Sequence, residues 1–78
     1  MLFSNVGQSV EPDRRLHNRL KDLRAERGWT QADLAERAGV SRKTINTVEN
    51  GVFTPSTILA LKLSLAFGRP VEHLFWLD

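Results

Sequence analysis

The chain has no cysteine, which excludes disulfides, zinc–thiolate centres and thiol redox chemistry together. It also has little length: 78 residues make one domain with a modest core and leave no room for a second, ligand-sensing domain. No apolar run approaches the roughly 20 residues of a membrane span. The start, Met1-Leu2-Phe3-Ser4-Asn5-Val6, lacks the basic residues and long apolar stretch of a secretory signal. The expectation is a soluble, cytoplasmic protein with no membrane contact. His17 and His73 have no acidic or cysteine partner at ligand spacing, so no metal site is expected. Glu49 has no second carboxylate or nucleophile placed with it; no catalytic residue, no enzymatic activity and no cofactor are expected.

What is present is an uneven distribution of charge. The net charge is +2, yet nine of the eleven basic residues lie between Arg14 and Lys43, against four acids in the same stretch. A basic front half suits a polyanionic partner, although a solvated helix face carries the same signature.

The apolar pattern predicts five helices and no strand. Residues 1–13 read as a tail without helical period, and residues 14–78 as the folded domain. Asp13 after Pro12 predicts an N-cap. Leu16, Leu20 and Leu23 then mark one helix face, and Gly28 ends that helix. Thr30, with Asp33 three residues later, predicts a capping box for a short second helix bearing Leu34, Ala35 and Ala38. Gly39 ends it and Ser41 caps the third. Thr54-Pro55 predicts the start of a fourth helix that runs to Phe67 before Gly68. A short fifth carries Val71, Leu74 and Phe75.

The third helix, from Arg42 to about Asn50, is the informative one. Its apolar residues are only Ile45 and Val48. At about 100° per residue, Lys43, Asn46, Thr47 and Asn50 fall on the opposite side, with Arg42 at the flank. Two short capped helices meeting at a glycine-containing turn form a corner. Small Ala35 permits close approach, and Val40, Ile45 and Val48 seal it. The outer side of the second member of the pair is then free to enter a DNA major groove.

The stretch from Thr30 to Gly51 carries TQ-x-x-LA-x-x-x-G-V-S-x-x-x-I-x-x-x-ENG. It resembles the helix-turn-helix of the phage repressor and Cro class, the XRE family, over residues 19–75, about three quarters of the chain. The resemblance implies an all-α, five-helix, lambda-repressor-like domain with its helix-turn-helix at the second and third helices. It implies a DNA-binding transcriptional regulator, a repressor acting as a homodimer on double-stranded DNA with a palindromic operator. Arg42, Lys43, Asn46 and Thr47 match base-reading positions. Gln31, Thr44 and Asn50 match phosphate-contacting positions, Gln31 with its backbone N–H and the helix dipole behind it. Arg24 and Glu49 match a structural ion pair. Trp29 reads as a core lid rather than a base-stacking residue.

The fourth helix departs from the family. Thr57, Ala60, Leu63, Ser64 and Phe67 fall on the family's core positions, and Ile58, Leu61 and Leu65 form a second apolar stripe where relatives often carry charge. An exposed apolar stripe on a small domain marks an interface. With Phe53, Trp76 and Leu77 it predicts a dimer contact. Val52 and Phe53 also stand where relatives carry basic loop residues, so one family phosphate contact is not carried over. Two other readings remain at this point. One is an antitoxin or restriction–modification controller holding a partner protein. The other is a protein-interaction module without DNA binding, against which the cationic Arg42 and Lys43 argue.

Overall fold

The computed structural model describes residues 15–78; the Asp13 cap and the tail read at 1–13 lie outside the described residues. The order of elements is β1 (Leu16–Asn18), α1 (Leu20–Arg27), α2 (Gln31–Ala38), α3 (Arg42–Glu49), α4 (Thr57–Phe67), a 3₁₀ turn (Val71–His73) and β2 (Phe75–Leu77). Among the described residues no helix is long and apolar enough to cross a membrane, and no group of three or more His, Asp or Glu side chains is placed to hold a metal ion.

The middle of the chain follows its local signals. The Thr30 hydroxyl accepts from the Asp33 N–H at 3.0 Å, and the Asp33 carboxylate accepts from the Thr30 N–H at 2.9 Å, a closed capping box at the start of α2. Ser41 accepts from the Thr44 N–H at 3.1 Å and starts α3. Between them Gly39 has φ +71°, the left-handed conformation the corner needs and other residues resist. Its N–H closes on Glu36 and that of Val40 on Ala35, satisfying the last carbonyls of α2.

The two ends of the chain correct the five-helix expectation. Leu16 does not extend α1. It lies in β1, which pairs antiparallel with β2 in the register Leu16↔Leu77, His17↔Trp76, Asn18↔Phe75. Phe75 therefore belongs to a strand, and the fifth helix reduces to the single 3₁₀ turn before it. Two three-residue strands far apart in sequence have too few residues to show a period, and they exist only because each supplies the other's hydrogen bonds. Asn18 marks the boundary. Its Oδ1 accepts from the Leu20 N–H at 3.1 Å, one residue ahead of Arg19, the cap residue of α1, whose own side chain makes no capping bond. The fourth helix also starts later than expected: Ser56, not Thr54, accepts from the Leu59 N–H at 3.1 Å. The inner face of α4 keeps Leu63 and Phe67 of the expected core positions, gains Leu59 and loses Thr57. Leu59, Leu63 and Phe67 are buried, while Thr57 is exposed.

These elements close on one core: Leu20 and Leu23 from α1, Leu34, Ala35 and Ala38 from α2, Ile45 and Val48 from α3, Leu59, Leu63 and Phe67 from α4, then Leu74 and Phe75. Trp29 covers one edge. Its ring stacks on Phe67 at 5.3 Å between centroids, and the Arg37 guanidinium lies 4.2 Å from its centroid. Partly buried against the core, it is a lid rather than a base-stacking residue, as expected.

Candidate nucleic-acid interface

The apolar residues that α3 buries are Ile45 and Val48. Arg42, Lys43, Asn46 and Asn50 are exposed; Thr44 and Thr47 are half-buried at the margin. The first turn of α3 contains no acid. Two cations there sit at the positive end of the helix dipole, each unfavourable by a few tenths of a kcal/mol to about 1 kcal/mol. Among the described residues neither Arg42 nor Lys43 has an ion-pair partner. Local stability therefore does not account for them.

The hydroxyls at the margin are committed to their own helix. Thr47 donates to the carbonyls of Lys43 and Thr44 at 3.1 and 3.0 Å, so it meets a ligand with its methyl group or an acceptor lone pair. Thr44 shares its hydroxyl with Ser41 at 2.9 Å.

Behind this face lies the ion pair. Arg24 reaches across from α1 and grips Glu49 with two hydrogen bonds, Nε to Oε2 at 2.6 Å and Nη2 to Oε1 at 3.0 Å. The pair is nearly sealed: the Arg24 side chain is 13% exposed and that of Glu49 4%. The remaining Arg24 nitrogen donates to the Trp29 carbonyl at 3.0 Å. The bonds to Glu49 hold the guanidinium above its usual pKa, against the opposing effect of burial. The ion pair bridges α1 and α3, and among the described residues no buried side-chain nitrogen or oxygen is left without a hydrogen-bond partner, as a buried pair requires.

Gln31, at the start of α2, is half-buried and joins this cluster. Its Nε2 donates to Glu49 Oε1 at 3.0 Å, and its Oε1 faces Asn46 Nδ2 at 3.5 Å. Asn46 Oδ1 in turn accepts from Asn50 Nδ2 at 3.3 Å. Five residues named separately from the sequence thus form one connected polar chain. Asn18 completes the picture and was missed. Its amide donates to the carbonyls of Val48 and Glu49 at 3.1 and 3.4 Å, tying the end of α3 to β1. The signal available was an asparagine two residues before the first buried residue of a helix.

The residues expected at a dimer contact are all exposed: Ile58 67%, Leu61 53%, Leu65 81%, Phe53 48%, Trp76 40% and Leu77 52%. They do not form one surface of equal availability. The Trp76 ring is flanked by the Arg19 guanidinium at 4.6 Å and by the stacked His17 ring, which also pairs with Asp78. Phe53 lines a shallow recess with Ser41, Lys43, Thr44 and Thr47, beside the outer face of α3. Ile58, Leu61 and Leu65 lie together on the outer side of α4 and include the most exposed of the six, Leu65 and Ile58.

Comparison with known proteins places this architecture. The HTH_3 family model, described as helix-turn-helix, matches residues 20–74, well over half of the chain. The HTH-type transcriptional regulator YgzD of Bacillus subtilis, itself uncharacterized, is 43% identical over 63 residues, covering 81% of this chain and 96% of its own. An uncharacterized HTH-type transcriptional regulator of Methanothermobacter thermautotrophicus is 47% identical over 60 residues, covering 76% and 87%. A crystal structure from Bacteroides fragilis, assigned as a DNA-binding protein, superposes with a TM-score of 0.69 at 28% identity, covering 78% of this chain and 98% of that one. With the motif, the two capped helices and the core they share in agreement, the chain belongs to the XRE-type helix-turn-helix family.

Proposed function

We propose that this protein is a sequence-specific transcriptional regulator that binds double-stranded DNA, with α2 and α3 as its helix-turn-helix and α3 lying in the major groove. The observation that carries the reading is the outer face of α3. Arg42 and Lys43 are exposed and, among the described residues, have no ion-pair partner, and Asn46 stands beside them on a core-anchored helix. In this reading Arg42, Lys43, Asn46 and Thr47 meet base edges. Arg42 or Lys43 takes guanine O6 and N7, and Asn46 takes adenine N6 and N7. Gln31, Thr44 and Asn50 lie at the margin, where phosphates pass. The Arg24–Glu49 pair holds the helix at its angle.

One recognition helix reads only a few base pairs, too few to select a site in a genome. A twofold dimer on a palindromic operator doubles the readout. Ile58, Leu61 and Leu65 on α4 supply the self-complementary contact, each contributing roughly 1.5–3 kcal/mol when fully buried. Such a dimer acts most simply as a repressor, occluding the operator it occupies.

The test is a titration of duplex DNA at several salt concentrations. Binding should weaken steeply as salt rises, because phosphate contacts release counterions. A chain that leaves duplex DNA unbound at low salt would be an interaction module, and the reading would be wrong.

A further inference from the structure

The carboxamides on the outer face of α3 are not free to choose their orientation. We propose that the buried Glu49 carboxylate sets the hydrogen-bond polarity of the reading surface, and that Gln31 is the positioning residue that transmits it to Asn46. This rests on Asn46 being a base reader.

The argument is one of donors and acceptors. A carboxylate only accepts, so the Gln31 atom 3.0 Å from Glu49 Oε1 is the amide nitrogen. That choice turns Gln31 Oε1 toward Asn46, which must answer with its own nitrogen, at 3.5 Å. Asn46 Oδ1 is then the atom left to accept from Asn50, at 3.3 Å. Each orientation follows from the one before it, and the first is imposed by a charge. Glu49 itself cannot turn away, because Arg24 holds both of its oxygens in a site that is 4% exposed.

The chain leaves Asn46 with one N–H and one oxygen lone pair unused. Those are the groups that pair with adenine N7 and N6 across the major-groove edge. The reversed orientation of Asn46 would set oxygen against oxygen at Gln31, whose own amide is held by the Glu49 carboxylate, while Asn50 at the open end turns with Asn46. A preorganised amide loses less freedom on binding, and it discriminates because a wrong base cannot be met by turning over. The contacts lengthen from 2.6 Å at the ion pair to 3.3–3.5 Å at the outer face. That is the gradient of a chain anchored in the core and open to a ligand at the other end.

Gln31→Leu cuts the chain and leaves the Arg24–Glu49 pair intact; Gln31→Met, with an unbranched side chain of similar length, repeats the cut where Leu disturbs packing. Each is compared with wild type and Asn46→Ala by a specificity ratio, the Kd for a duplex changed at the pair whose preference Asn46→Ala relaxes divided by the Kd for the selected duplex. The expected result is a fall in that ratio by at least about fivefold at that same base pair, with the melting temperature little changed. A uniform weakening on all duplexes with the ratio intact would make Gln31 a phosphate contact only and overturn the inference. If Asn46→Ala itself leaves every ratio unchanged, the base-reading assignment has failed first, and the inference falls with it.

Discussion

Helices α3 and α4 bury the same kind of surface and expose opposite kinds. Helix α3, Arg-Lys-Thr-Ile-Asn-Thr-Val-Glu, places Ile45 and Val48 in the core and shows solvent cations and amides. Helix α4, Thr-Ile-Leu-Ala-Leu-Lys-Leu-Ser-Leu-Ala-Phe, places Leu59, Leu63 and Phe67 in the core and shows solvent Ile58, Leu61 and Leu65. Folding requires only the inner face of each. The outer faces are therefore where the two helices reveal their partners. A polar, cationic face that carries no ion pair among the described residues fits a polyanion with a readable edge. An aliphatic face fits another apolar surface, and the simplest such surface is its own copy.

The comparison breaks most severely at Glu49, which belongs to both sides of α3. Glu49→Ala strands the Arg24 charge in a nearly sealed site. The unfolding free energy should fall by about 3–5 kcal/mol, read by chemical denaturation. A loss below about half a kcal/mol, typical of an exposed pair, would mean the ion pair does not hold α3 in place.

The outer face of α3 comes next. Arg42→Ala should leave folding within about half a kcal/mol of wild type while operator binding weakens by about 1–3 kcal/mol and the preference at one base pair relaxes. Unchanged preference in binding assays would remove Arg42 from the readers. The outer face of α4 gives the complementary result. Leu61→Glu with Leu65→Glu should yield a folded monomer by sedimentation that binds half-sites normally and the full operator poorly. A persistent dimer would put the interface elsewhere.

The smallest effect is in acid. Hydrogen bonds from Thr30, backbone first, hold the Asp33 carboxyl below the usual carboxylate range. A pKa depressed by folding contributes stability that is complete above the unfolded carboxylate pKa and is lost as pH falls through the folded value. Wild type should therefore lose thermal stability on acidification more steeply than Asp33→Ala, whose cap is already broken. Parallel pH profiles would show that the capping box contributes nothing measurable.

The sequence was most legible where one residue's chemistry decides a local geometry. Thr30, Gly39 and Ser41 cap and turn the chain whatever lies around them, and all three do so in the structure. It was least legible where a partner is distant. Leu16 continues the spacing of α1 on paper, yet it pairs with Leu77, and nothing near either residue announces the other. Thr54-Pro55 and Ser56 are caps only two residues apart, and the local signal does not choose between them; Leu59 joins the core with Leu63 and Phe67 because packing against the other helices, not the cap, sets the inner face. At the candidate site the positions were legible one by one from the motif. Their connection through Gln31 and Glu49 was not, because hydrogen-bond direction depends on side-chain placement that no spacing encodes.

Selection of bound duplexes from a randomised library by the wild-type protein tests the central claim most directly. A reading face on α3 and a self-pairing face on α4 together predict inverted half-sites with centres about one helical turn, roughly 34 Å, apart. Recovered duplexes with no shared sequence, or with a single unrepeated half-site, would contradict the account.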